Sequence, residues 1–69
     1  MERRNLVSAD DLGKRVSFQF ELPNGYLSEV VGMLEGYDHS AETYVVRTKD
    51  GALARVPKRG VLFGKVVSG

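Results

Sequence analysis

The feature that most constrains this chain is a strict alternation of apolar and polar residues over positions 15–22. Apolar side chains at even positions alternate with polar ones at odd positions: Val16, Phe18, Phe20 and Leu22 against Arg15, Ser17, Gln19 and Glu21. Because successive side chains of a strand point to opposite faces of a sheet, this pattern predicts a β-strand with one buried face. The Pro23-Asn24-Gly25 segment that follows predicts a tight turn, since proline fixes φ and Asn-Gly tolerates positive φ.

The rest of the chain predicts four more strands joined by short turns. They cover residues 26–35, 43–48, 52–56 and 61–67. Gly32, in the middle of the first of these, predicts a bend or a bulge. Asp50-Gly51 predicts a type I′ hairpin turn. Which face of the hairpin over residues 44–56 is buried stays open, because apolar residues fall on both faces.

Two segments outside the strands complete the predicted architecture. Residues 8–13 predict a short helical turn, with Ser8 as its N-cap, an acid three residues later and Gly13 as its stop. Pro57-Lys58-Arg59-Gly60 predicts a single tight turn, since proline cannot continue a central ladder. We therefore predict an all-β fold, a small five-stranded SH3-like barrel with a short N-terminal helical turn and a tight turn before the last strand; an open meander is the alternative.

The domain organisation follows from the length. With 69 residues the chain has room for one core. We expect a single domain over residues 8–67, a flexible segment over residues 1–7, and disorder at Ser68-Gly69. The start of the chain is charged without an apolar stretch behind it, and no window is apolar enough to span a membrane, so the expected location is cytoplasmic.

The sequence offers no catalytic constellation. His39, beside Asp38 and near Glu42, is the only histidine, and there is no cysteine to form a thiolate metal site. The serines lack a nucleophile-elbow context, and the glycines are dispersed rather than grouped as a phosphate loop. We therefore expect no enzyme activity from this chain alone, with no catalytic, cofactor-binding or metal-binding residue and no cofactor.

The charges are unevenly distributed, which directs attention to binding. Residues 16–46 carry five acids and no Lys or Arg, whereas residues 47–69 carry six basic residues and one acid. The two sets either neutralise each other across neighbouring strands or leave a basic patch that could meet an anion. Candidate anion or partner contacts are Arg47, Arg55, Lys58 and Arg59. Candidate aromatic contacts are Tyr26, Tyr37 and Tyr44, which could instead cap the core.

One resemblance covers about residues 11–67. The segments that carry it are Leu12-Gly13-Lys14-Arg15-Val16, Glu21-Leu22-Pro23-Asn24-Gly25, Val30-Val31-Gly32-Met33-Leu34, Val46-Arg47-Thr48-Lys49-Asp50-Gly51 and Val56-Pro57 before Val61. Together they resemble the SH3-like (Tudor-like) domain at the N-terminus of certain actinobacterial GNAT-type acetyltransferases. The resemblance implies an accessory module whose acetyltransferase domain would follow residue 69. Its motifs are turns and strands, so no residue is carried over as catalytic.

A second resemblance is to Sm-like RNA-binding proteins. Gly13-Lys14-Arg15-Val16, Gly32-Met33-Leu34 and Gly36-Tyr37-Asp38 are similar to the first Sm motif, and Arg59-Gly60 is similar to the second. This chain departs from the pattern at Glu42, where Sm-like proteins place an asparagine, so a carboxylate stands where a base would be read.

The sequence as a whole thus predicts a non-catalytic SH3-like accessory module that contacts a downstream acetyltransferase domain or another protein. The alternative is an Sm-like nucleic-acid-binding barrel. A pure protein-interaction module would share the same fold, and no membrane partner is expected.

Overall fold

The computed structural model describes residues 3–67. Their strands form one six-stranded sheet. Its strands are β1 (Arg4–Asn5), β2 (Arg15–Glu21), β3 (Leu27–Asp38), β4 (Thr43–Thr48), β5 (Leu53–Pro57) and β6 (Val61–Val66), with a 3-10 turn at Lys58–Gly60 before β6. The spatial order is β1-β6-β2-β3-β4-β5, and every neighbouring pair is antiparallel except β1 with β6. The all-β class is confirmed, and each of the five predicted strands is present.

The hydrogen-bonded sheet is open, so closure into a barrel is not shown. Its edges are β1 and β5, which do not pair with each other. The sheet is nevertheless strongly bent, because β2 and β5 approach each other although two strands separate them in the sheet order. One concave face therefore encloses the core, as expected for a short all-strand chain.

The core is formed by alternate residues of the central strands together with one residue of the N-terminal segment. Its members are Val7, Val16, Phe18, Phe20, Leu34, Tyr44, Val46, Val56 and Val61. The alternation read from β2 is confirmed, since all three of its apolar residues are buried. The hairpin that the sequence left open buries the face carrying Tyr44, Val46 and Val56.

Phe63 lies on the outer face of the sheet and is 37% exposed. The register explains this, because Phe63 pairs with Gln19 on the outward side while its neighbour Gly64 pairs with Phe18 on the core side. A Cβ atom at Gly64 would lie 2.9 Å from the Phe18 ring, so the inward position in β6 has no space for a side chain.

The N-terminal region contains turns, a short strand and a buried valine. Residues 8–13 form hydrogen-bonded turns rather than a helical turn, with the Asp11 N–H donating to the Ser8 carbonyl at 3.0 Å. The Ser8 N–H donates a hydrogen bond to the Asp11 carboxylate, and the Lys14 ammonium donates a second one. The first bond, and to a smaller extent the second, lowers the pKa of the Asp11 carboxyl below its ordinary value. The predicted flexible segment contains β1 and the buried Val7, while its first two residues, like Ser68-Gly69, lie outside the described residues.

The hairpin turn between β4 and β5 is not of type I′. That type requires positive φ at both central residues, but Gly51 has φ +89° and Asp50 is not in the left-handed region. The Gly51 N–H donates to Thr48 O at 3.0 Å, and the Thr48 N–H donates to Ala52 O at 2.8 Å. This is a three-residue loop that ends in a glycine bulge, and the Thr48 hydroxyl lowers the pKa of the Asp50 carboxyl.

Gly32 lies at a close approach between strands rather than at a bulge. Its register with Val16 and Thr48 is regular, and the irregularity in β3 falls between Leu34 and Gly36. A Cβ atom at Gly32 would overlap the Arg47 carbonyl oxygen and lie 2.9 Å from Cγ1 of Val46. The sharp approach of β4 to β3 therefore requires a residue without a side chain.

The Gly32→Ala substitution is expected to destabilise the fold by about 3 kcal/mol or more, because the new methyl group must displace backbone. Gly36→Ala is the matched control in the same strand, since a Cβ atom there meets nothing within 4 Å. Urea unfolding of both variants tests the prediction. Equal stabilities would show that the approach of β4 is not tight.

The N-terminal segment is fixed to the sheet by the buried Tyr44 hydroxyl. This hydroxyl donates to the Val7 carbonyl oxygen at 3.1 Å and accepts from the Asn5 side-chain amide at 3.0 Å. The Leu6 N–H also donates to Gly64 O at 2.8 Å. Residues 5–7 are thereby held against β6 and the end of the core.

We expect Tyr44→Phe to lower the free energy of unfolding by about 1–3 kcal/mol, because it removes two hydrogen bonds in a buried setting. Tyr26→Phe is the control, since Tyr26 is 71% exposed and should tolerate the change within about 0.5 kcal/mol. Urea unfolding measures both. A Tyr44→Phe variant as stable as the control would contradict the anchoring role of the hydroxyl.

Candidate binding site at the β3–β4 loop

The β3–β4 loop and the 3-10 turn meet at one end of the sheet. The Lys58 N–H donates to the Glu42 carbonyl oxygen at 2.9 Å, and a guanidinium nitrogen of Arg59 lies 3.3 Å from the Glu42 carboxylate. Two segments that are distant in sequence therefore form one surface, which we call the loop site. It comprises residues 37–42 and 55–59.

An aromatic group lies at the centre of the loop site. The Tyr37 ring packs on the buried Tyr44 ring at a centroid distance of 5.0 Å, and the His39 ring meets it edge-on at 4.9 Å. The Lys58 ammonium lies 6.0 Å from the centroid of the Tyr37 ring. Tyr37 is therefore supported by the core on one side and flanked by two polar groups on the other.

The carboxylates of the loop site are engaged by its arginines. A guanidinium nitrogen of Arg55 lies 3.4 Å from the Asp38 carboxylate, and Arg59 forms the corresponding pair with Glu42. All four side chains are at least 39% exposed. Asp38 also accepts backbone hydrogen bonds from Ser40 and Ala41, which shapes the loop. Acids and basic residues thus neutralise each other here, although neither pair joins neighbouring strands; the pair that does is Glu35 of β3 with Arg47 of β4.

The backbone of Glu42 takes a left-handed conformation, with φ +51°. This region favours glycine and asparagine, and other L-residues adopt it at a cost. The position is the one at which Sm-like proteins place an asparagine, so the departure noted in the sequence has a conformational consequence as well as an electrostatic one.

The structure separates the predicted contact residues into four places. Arg55, Lys58, Arg59 and Tyr37 share the loop site. Arg47 lies on the outer face of the sheet and pairs with Glu35 at 3.3 Å. Tyr26 is exposed in the β2–β3 turn. Tyr44 is buried and packs inward on Phe18 at a centroid distance of 4.8 Å, as in the alternative that the tyrosines cap the core.

His39 is exposed and contacts Tyr37 rather than a nucleophile. Among residues 3–67 no group of three or more His, Cys, Asp or Glu side chains could hold a metal ion. The loop site contains the Tyr37 ring, the His39 imidazole, three cations and the carboxylates of Asp38 and Glu42.

Apart from Arg47, the sequence predicted no contact residue in the neighbouring part of the outer face of the sheet. Arg15, Val31, Met33 and Lys49 line a groove there together with Arg47. The sequence did contain a signal for this groove: Val31 and Met33 share one face of β3, opposite the face that carries the buried Leu34.

The segments similar to the two Sm motifs come close together at the loop site, where Arg59 pairs with Glu42. The sequence matches the family described as the Rv0428c N-terminal Sm-like domain over residues 10–65, and the chain belongs to that family. Searches of curated proteins and of solved structures found no match. The match supports the Sm-like resemblance and does not support the acetyltransferase-associated one. In the part of the chain that the structure describes, no helix is long and apolar enough to cross a membrane.

Glu42→Asn is expected to stabilise the domain by up to about 1 kcal/mol. Asparagine adopts the left-handed backbone conformation at a lower cost than glutamate does. This gain in stability exceeds the loss from removing the exposed ion pair with Arg59. Glu42→Gln removes the same charge without the same backbone preference, so it should be neutral or slightly destabilising. Chemical denaturation distinguishes the two variants, and equal stabilities would refute the conformational explanation.

Proposed function

We propose that this domain is a non-catalytic binding module that holds single-stranded nucleic acid at the loop site. One observation carries the proposal: Arg59, in the segment similar to the second Sm motif, lies 3.3 Å from Glu42, four residues beyond the segment similar to the first, and the neighbouring Lys58 lies beside the Tyr37 ring. Membership of an Sm-like family supports the same conclusion.

The chemistry of the loop site suits an unpaired base and its phosphates. A base can stack on an aromatic ring, and here His39 and Tyr37 are the exposed or partly exposed rings at the surface. Lys58 is the cation of the loop site that has no carboxylate within 4.0 Å among residues 3–67, so it is free to contact a phosphate. Arg55 and Arg59 would contact phosphates by exchanging their carboxylate partners.

The paired carboxylates set the expected strength of binding. Asp38 and Glu42 repel a phosphate chain and compete for the two arginines. We therefore expect a dissociation constant near the weak end of non-specific binding, about 10⁻⁴ M at physiological salt. With two or three phosphates neutralised, log K should fall with log salt with a slope of about −1.4 to −2.

Fluorescence anisotropy with a labelled oligouridine, at low salt and over a salt series, tests the proposal. Lys58→Ala should weaken binding several-fold and reduce the salt slope by about 0.7, the value for one phosphate on a single strand. Lys65→Ala is the matched control, because it removes the same charge from the outer face of β6. Equal effects of the two substitutions would show non-specific attraction and defeat the proposal.

A gain-of-function variant gives an independent check of the same site. Glu42→Asn removes the carboxylate beside Arg59, so oligouridine should bind more tightly than it does to the unmodified domain. Glu29→Gln is the control, because that exposed carboxylate lies in β3 opposite Gln19, outside the loop site. If both variants strengthen binding equally, the effect is one of net charge.

A second candidate function is contact with another domain of the same protein. The family description names an N-terminal domain, and the resemblance to the acetyltransferase-associated module points to the same role. Changes in the NMR spectrum of the domain when it is linked to its natural neighbour would support this function, and identical spectra would oppose it.

A further inference from the structure

A groove crosses the outer face of the sheet, opposite the core. It has a volume of about 530 Å³ and is floored by Val31 and Met33 of β3. These side chains are 43% and 50% exposed, although they lie in the middle of a six-stranded sheet. We call this surface, lined by Arg15, Val31, Met33, Arg47 and Lys49, the outer groove.

The strand register surrounds the apolar floor of the outer groove with cations. Met33 pairs with Arg15 on one side and with Arg47 on the other. Gly32 pairs with Thr48 in the antiparallel register, so the next residues along the two chains, Val31 and Lys49, lie side by side. Both line the outer groove. Leu53, which pairs with Arg47 and is 56% exposed, extends the same row on β5.

The cations of the outer groove differ from those of the loop site in their pairing. Within residues 3–67 neither Arg15 nor Lys49 has a carboxylate within 4.0 Å, whereas Arg47 is paired with Glu35. In the loop site both arginines are paired, and Lys58 has no carboxylate within 4.0 Å among residues 3–67. The outer groove thus has two unpaired cations beside its exposed aliphatic side chains, against one beside the rings of the loop site.

We propose that the outer groove binds an acidic protein segment that carries an aliphatic side chain as its anchor. Charge complementarity favours this occupant, because unpaired Arg15 and Lys49 flank the exposed Met33. A nucleic acid fits less well, since no aromatic ring lines the outer groove to stack a base. The anchor would cover Val31 and Met33 while its acidic neighbours contact the cations.

This inference is independent of the loop site. The outer groove is formed by the outward faces of β2, β3 and β4, and its lining contains no residue of the β3–β4 loop or the 3-10 turn. Substitutions in one surface should leave the other unaffected, so the two proposals can fail separately.

The probe for the test is a short acetylated peptide of glutamates with interspersed leucines, titrated into the isotopically labelled domain and followed by NMR. We expect the largest shifts at Val31, Met33, Thr48 and Lys49. Met33→Ser should weaken binding by about tenfold, the value of a partly buried apolar side chain. Lys49→Ala should weaken it by roughly threefold, as for a screened surface charge pair.

Two controls make the result decisive. Lys58→Ala removes one charge from the loop site and should leave peptide binding unchanged, and a peptide with glycine in place of leucine should bind more weakly than the original. Urea unfolding of Met33→Ser checks that the fold persists. Any of three results would overturn the proposal. The two peptides could bind equally well, or Lys49→Ala and Lys58→Ala could have equal effects. Oligouridine, and not the peptide, could produce the shifts at the residues of the outer groove.

Discussion

The buried Tyr44 side chain is the interaction on which the rest of this small domain depends. Its ring packs on Phe18 in the core and on Tyr37 at the loop site, while its hydroxyl bonds Asn5 and Val7 of the N-terminal segment. A chain of this length has a thin core, so one residue that joins the core, the N-terminal segment and the β3–β4 loop has a large effect. The position of Tyr37 at the surface follows from this support.

The loop site and the outer groove differ in how their charged groups are paired. In the loop site, Asp38 and Glu42 pair with two arginines, and Lys58 has no carboxylate within 4.0 Å among residues 3–67. In the outer groove, Arg47 is paired with Glu35, whereas Arg15 and Lys49 lie beside exposed aliphatic side chains with no carboxylate within 4.0 Å in the described part of the chain. A domain with a formal net charge of +1 can therefore present chemically distinct surfaces, because pairing rather than total charge decides which cations are available.

Local sequence patterns predicted the strands well and the turns less well. The alternation in β2 depends only on which residues face the core, so it could be read directly. Type I′ and bulged three-residue turns both use Asp-Gly, and the choice between them depends on how β4 and β5 twist together. At residues 8–13, where the sequence predicts a helical turn, the side chains of Ser8 and Asp11 accept hydrogen bonds from nearby backbone N–H groups. The segment does not continue into a helix, because so short a helix has no stability of its own.

The sequence by itself determined the all-β class, the strands and the candidate cations, since these follow from residue type and from a period of two. Only the tertiary structure decided that Tyr44 is buried, that Phe63 faces outward, and that Arg47 is separated from Arg55 and Lys58. Each of these depends on the register between strands, where a shift of one residue exchanges the two faces. Register is set by contacts between distant segments, among them the close approach at Gly32 and the bulge between Gln19 and Phe20, and no local pattern contains that information.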